Sequence, residues 1–184
     1  MIPEIATLKD AVQLRRATPA DANRLAELGR DTFTATFGPR YPADDLAAFL
    51  DENHQPSSYA AWAVDPAYGL WIAEKDGQAI GYTLAGPCGL PHPEVTPACG
   101  ELKRVYVRPE AQGLQVGSKM LAEAFAWLER PGRMLWIGVW SENLGAQRLY
   151  ARYGFEKVGE YLFPVGEVRD EEFIMRLQIL EASR

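Results

Sequence analysis

The sequence predicts an α/β protein, a mixed sheet carrying helices on its faces. Three observations predict it. The chain is 184 residues long with 47% hydrophobic, 24% charged and 11% aromatic residues, which is the composition of an ordinary globular domain with a sizeable core. An Asp-Gly pair at Asp76-Gly77 sits between two strand-like segments, the signature of a tight hairpin. Further on, a strand pattern, an apolar helical stripe and a second strand pattern follow one another, which is a parallel crossover unit. No repeat, low-complexity tract or flexible linker divides the chain, so residues 1–184 read as one domain.

The elements follow in order. Val12 to Ala17 is the first strand, and Thr18, Pro19 and Asp21 open a helix expected to run to about Thr32. A second helix is expected over Ala43 to Asn53, with Leu46, Phe49 and Leu50 at helical spacing. LWIAEK and QAIGYTLA form the hairpin, because Asp-Gly tolerates the positive φ angles that a primed turn requires. Prolines and glycines between Gly86 and Gly100 make a loop. ELKRVYV alternates as a strand until Pro109 removes a backbone donor. Val116, Met120, Leu121, Ala124, Phe125 and Leu128 form one helical stripe, and Pro131-Gly132 ends it. MLWIGVW is apolar without alternation, a strand covered on both faces. A short helix from about Asn143 to Tyr153 ends at Gly154, and Phe155 to Phe163 and Glu172 to Leu180 read as two final strands.

Composition narrows function. A net charge of −6 and a pI near 5.0 argue against a uniformly basic surface for nucleic acid, and a cationic substrate is tolerated better. No apolar run reaches the roughly 18–20 residues that cross a bilayer, and MIPEIATLKD has no secretion-signal pattern, so no membrane partner and a cytoplasmic location are expected. Cys88, His92 and Cys99 match no zinc spacing, and no metal is expected.

The chemistry is concentrated in VYVRPEAQGLQVGSKML, where a strand ends at a proline turn, passes through a glycine-containing loop and opens a helix. Free backbone N–H groups at a helix start and the helix dipole favour an anion, and Gly113 and Gly117 let a phosphate approach the chain. The spacing is neither G-x-G-x-x-G nor a Walker loop, and no G-x-S-x-G elbow is present.

Two motifs in this order resemble the GCN5-related N-acetyltransferase (GNAT) family. Gln112 to Gly117 resembles its [QR]-x-x-G-x-[GA] acetyl-CoA loop, with Gln115 standing where the middle glycine usually is. If that position needs a positive φ, Gln115 carries a penalty of order 1 kcal/mol; the favoured expectation is an already helical, harmless Gln115. VWSENLGAQRLYARYGFEKVG resembles the second motif through Asn143, Tyr150 and Gly154-Phe155.

The resemblance implies a mostly antiparallel sheet with one splayed parallel strand pair and helices on both faces. It implies acetyl-CoA as co-substrate, its pantetheine bonding the backbone of Val105, Tyr106 and Val107, and its pyrophosphate held by Gln112, Gly113, Leu114, Gln115, Val116, Gly117 and Ser118. Asn143 caps its helix or bonds the pantetheine amide, and both uses are compatible. Tyr150 is implied as the acid for the leaving thiolate. Glu101, given the same strand parity as Val105, is the candidate base, directly or through water.

DTFTATF, the second motif and EEFIM look most like bacterial spermidine/spermine acetyltransferases, and Asp31, Glu101, Glu167, Asp170 and Glu171 are available to a polycation. An antibiotic amine, an amino acid or a protein N-terminus are the other acceptors, and a non-catalytic CoA-binding sensor is the rival class. The aromatic strands at Tyr161–Phe163 and Phe173–Leu177 fit either core or a sheet extended across a homodimer.

Overall fold

The computed structural model describes residues 12–179. Its elements are β1 (Gln13–Arg16), α1 (Ala22–Phe37), α2 (Ala43–Asn53), α3 (Pro56–Val64), β2 (Gly69–Lys75), β3 (Gln78–Pro87), β4 (Gly100–Val107), α4 (Val116–Leu128), β5 (Met134–Trp140), α5 (Leu144–Arg152), β6 (Glu156–Val165) and β7 (Val168–Gln178). The seven strands form one sheet in the order β1-β2-β3-β4-β5-β7-β6. Every neighbouring pair is antiparallel except β4 with β5.

Local sequence explains most of these elements. Asp76 and Gly77 adopt φ of 51° and 77°, as the β2–β3 hairpin requires. Gly154 ends the α5 segment at φ 93°. Before α1, Thr18 is the N-cap, as expected, and forms a capping box with Asp21, whose carboxylate takes the Thr18 N–H at 2.9 Å and hydroxyl at 3.0 Å, and the Arg15 guanidinium at 2.7 and 2.8 Å.

Three expectations need correction. α1 continues to Phe37, because its apolar face carries on through Phe33 against a separate aromatic cluster. α3 was not anticipated: PSSYAAWAV is apolar around its circumference and offers no stripe to read. β7 begins at Val168, paired with β6 across a turn at Gly166 (φ 56°); the expected end at Leu180 lies outside the described residues.

Helices cover both faces of the sheet. Leu121, Ala124, Phe125 and Leu128 of α4 pack on Leu102, Leu135, Ile137 and Val139. On the opposite face, Leu25 and Leu28 of α1 and Tyr59 of α3 pack on Leu70, Ile72, Tyr82 and Leu84. Phe173 and Leu177 join the α4-side core, while Leu162 on edge strand β6 is 62% exposed.

The central strand carries the feature that positions the site. β4 pairs with β5 only at Gly100–Leu135, Glu101–Trp136 and Leu102–Ile137, and then the strands separate. At the same level Ala85 pairs with Leu102 and Leu84 with Arg104, so Lys103 is an extra residue without a partner on β3. Such a bulge bends and twists the strand that carries it. It also shifts side-chain parity: Leu102 and Val105, three residues apart, both pack on the α4 side.

Because Asp21 is buried and its partner Arg15 holds its carboxyl well below the usual aspartate range, Asp21→Asn is expected to cost about 2 kcal/mol in chemical denaturation at neutral pH. The wild-type advantage is full above the ordinary aspartate pKa of about 4 and is lost as pH falls through the depressed native value.

Candidate active site

The loop between β4 and α4 forms a chain of free donors. Gly113 has φ 85° and Gln115 φ 59°, with Gln115 at the N-cap of α4. The first backbone bond into the helix is Lys119 N–H to Gln115 C=O at 3.1 Å. The N–H groups of Gly113, Gln115, Val116, Gly117 and Ser118 therefore have no backbone acceptor among the described residues. A Cβ at Gly113 would meet nothing within 4 Å, and one at Gly117 only Val107 Cγ2 at 4.0 Å. Exposed donors on a left-handed turn leading into a helix are suited to phosphate oxygens. The helical conformation expected for Gln115 is overturned: the residue is left-handed, because the chain reverses between Gln112 and Val116 before the helix can begin.

Beyond Leu102 the inner edges of β4 and β5 face one another across a gap. Arg108 N–H bonds Ile80 C=O at 2.8 Å, and Arg104 C=O accepts from the Thr83 hydroxyl at 2.9 Å. Antiparallel alternation then directs the backbone groups of Tyr106 to Tyr82 on β3 and turns those of Val105 and Val107 toward the gap. Tyr106 backbone is thus committed to the sheet, a correction to the expected contact, and its side chain lines the cavity instead.

That cavity, about 430 Å³, passes through the gap. Tyr150 and Asn143 lie on the α4 and α5 side. Tyr150 packs against the core cluster, and burial pushes its phenol up to about 12, so it remains protonated at neutral pH. No group among the described residues hydrogen-bonds its hydroxyl. Asn143 Oδ1 accepts the Ala146 N–H at 3.0 Å, capping α5, which leaves its amide donor for the cavity.

On the other side, Phe33, Phe37, Tyr41, Phe49, Trp140 and Phe163 form aromatic walls. Glu101 is 9% exposed and lines this side; its Oε2 accepts Gly89 N–H and Lys103 Nζ, both at 2.8 Å. The bulge overturns its expected parity with Val105: Glu101 shares the face of Tyr106. Of the other acidic residues considered, Asp170 lines the cavity, bound by Arg40 at 3.2 Å and by the Tyr41 hydroxyl. Asp31 pairs with Arg108 at 3.0 Å outside the cavity, and Glu167 and Glu171 are exposed. Glu172 and Tyr161 were missed; the strand containing Glu172 was recognised, but no local signal marks which of its residues meets a cavity wall.

Arg104 fastens this side together, donating to Tyr59 Oη at 3.0 Å and to Asn53 C=O, at the end of α2, at 3.1 Å. Burial, reinforced by Arg104 and Arg30, pushes nearby His54 down to about 3 and keeps it neutral. Among the described residues, no group of three or more His, Cys, Asp or Glu side chains is arranged to hold a metal, and no helix is long and apolar enough to cross a membrane.

Residues 25–155 match the family profile described as acetyltransferase (GNAT) family. An uncharacterized N-acetyltransferase of Lactobacillus delbrueckii subsp. lactis is 26% identical over 170 residues, covering 90% of this chain and 96% of that one. The PaiA N-acetyltransferase of Thermoplasma acidophilum, solved with coenzyme A, superposes with a TM-score of 0.69 at 18% identity, covering 91% of this chain and 99% of the other. The ribosomal-protein-S18-alanine N-acetyltransferase of Escherichia coli gives 0.67 at 18% identity over 95% and 97%.

A left-handed Gln is strained where Gly is not. Gln115→Gly is expected to raise folding stability by up to about 1 kcal/mol, read as a higher midpoint in chemical denaturation.

Proposed function

The chain belongs to the acetyltransferase (GNAT) family, and from that premise we propose that it moves an acetyl group from acetyl-CoA to a primary amine by direct attack within a ternary complex. The observation that carries this reading is the gap between β4 and β5. It joins a loop of free N–H groups on one side to an aromatic, carboxylate-bearing cavity on the other.

In this reading the diphosphate lies on the amides of Gly113, Gln115, Val116, Gly117 and Ser118, with Gln112 and Leu114 shaping the turn. The pantetheine adds to the free edge of β4 through Val105 and Val107, and the Asn143 amide is free to meet it from α5. The thioester then reaches the point where the strands part. An amine attacks there only as a neutral base, whereas a free alkylammonium has a pKa near ~10.4, so a proton must leave first. Glu101 is the base named by the family resemblance; with Oε2 held by Gly89 and Lys103, its natural use is through an ordered water. Tyr150, protonated and facing the cavity, gives its proton to the departing thiolate.

A polyamine is the acceptor to which the sequence resemblance points, and Glu172, the one cavity-wall carboxylate with no ion pair among the described residues, supports a cationic substrate. Thiol release from acetyl-CoA, followed over spermidine, phenethylamine, an amino acid amide and an N-terminal alanine peptide, tests both the reaction and its acceptor. Amine-dependent release with intersecting initial-velocity lines is expected; tight CoA binding without any release would favour a sensor, and a trapped acyl-enzyme would reject direct transfer. Tyr150→Phe is expected to lower kcat by about 100-fold while calorimetric binding of acetyl-CoA stays within twofold.

A further inference from the structure

We propose that Glu172 is the group on which the acceptor amine docks as an ammonium ion and to which it yields its proton, with Tyr161 holding the carboxylate in place. This inference rests on the acetyl-transfer reading above, puts Glu172 in the place of Glu101, whose Oε2 is already held by Gly89 and Lys103, as the proton acceptor, and specifies the charge state in which the substrate arrives.

Position is the first argument. Gly138 directly follows Ile137, the last residue of β5 paired with β4, so it stands where the strands part. A Cβ at Gly138 would lie 3.1 Å from Glu172 Oε2 and 3.3 Å from the Tyr161 hydroxyl oxygen. The carboxylate thus lies over the backbone of β5 at the mouth of the gap, in space that a side chain at position 138 would crowd.

Charge pairing is the second. Glu101 is neutralised by Lys103 at 2.8 Å, and Asp170 by Arg40 at 3.2 Å. Among the described residues no cation forms an ion pair with Glu172; its hydrogen bond comes from the Tyr161 hydroxyl at 2.5 Å. Of the three carboxylates on the cavity wall, Glu172 is therefore the one whose countercharge must come from outside, and an ammonium ion supplies it.

The surroundings suit proton transfer. Tyr161 faces Glu172 from β6, Asp170 from β7, Glu101 and Tyr106 from β4, and Tyr41 from the segment before α2. Burial pushes the Glu172 carboxyl above the usual carboxylate range, the charges of Asp170 and Glu101 add to this, and the Tyr161 hydrogen bond opposes it. A stronger base lies closer to the ammonium in proton affinity, and transfer replaces a half-buried ion pair by two neutral groups.

The step balances. One ammonium proton passes to Glu172, leaving a neutral amine and a carboxylic acid. The nitrogen lone pair forms the C–N bond at the thioester carbon, and collapse breaks the C–S bond as Tyr150 protonates the sulfur. The second proton on nitrogen returns to the Tyr150 phenolate, and Glu172 releases its proton to solvent.

The test is the pH profile of kcat/KM for thiol release with the best amine of the panel. Glu172→Gln, which keeps the shape and a partner for Tyr161, is expected to lose about 100- to 1,000-fold and its acidic limb, with acetyl-CoA affinity within twofold. Tyr161→Phe removes the donor that lowers the carboxyl pKa, so its acidic limb is expected to move to higher pH. Glu101→Gln is expected to keep an acidic limb. Retention of the wild-type profile by Glu172→Gln overturns the proposal; if that variant fails to fold, an unmoved limb in Tyr161→Phe overturns it. A wild type that binds acetyl-CoA but acetylates no amine removes the parent reading and this inference with it, whereas an active wild type with unaltered variants removes this inference alone.

Discussion

One unpaired residue in β4 governs the geometry of the site. Lys103 has no partner on β3, and the strand that carries it leaves β5 after three residue pairs. In a sheet whose other strands remain paired to their neighbours, this is where a long molecule can pass between strands without breaking the core on either face. The bulge also re-aims the strand. Val105 stays with the α4 core, while Glu101 and Tyr106 are delivered to the opposite wall. A single local irregularity thus sets both the opening and the chemistry of its two sides.

The two sides use different means of stabilising charge. Before α4 the positive character resides in backbone N–H groups, needs no ionised side chain, and is compatible with a net charge of −6. Across the gap, carboxylates stand among aromatic rings, two of them tied to cations from β4 and the turn after α1. Arg104 is accommodated among tyrosines because it also meets a carbonyl at the C-terminal end of α2, where a helix dipole favours a cation. The arrangement separates a loop of free backbone donors from a cavity of carboxylates and aromatic rings across one sheet.

Legibility in the sequence followed the range of the forces involved. The β2–β3 hairpin was readable because Asp76 and Gly77 encode their own backbone angles, and α2 because Leu46, Phe49 and Leu50 mark one face. The loop before α4 was readable as a donor site, but the handedness of Gln115 was not, since it depends on how the turn must close. α3 was hidden because its apolar residues have no preferred side, and the Lys103 bulge because registers are set between strands rather than within one. Tyr41 and Asp170, 129 residues apart, meet only after the sheet has formed, so the finer composition of the cavity was out of reach of any local pattern.

The absent side chain at Gly138 has a bearing on how this site can diversify. Because the nearest atoms to a Cβ there belong to Glu172, Leu90 and Tyr161, even one methyl would press on three separate segments at once. Substitutions on the aromatic walls can resize the chamber piecemeal, whereas a side chain at this position requires Glu172, Leu90 and Tyr161 to give way together. Divergence in acceptor choice should therefore accumulate in α1, α2 and the β6–β7 ribbon, leaving the β5 floor bare.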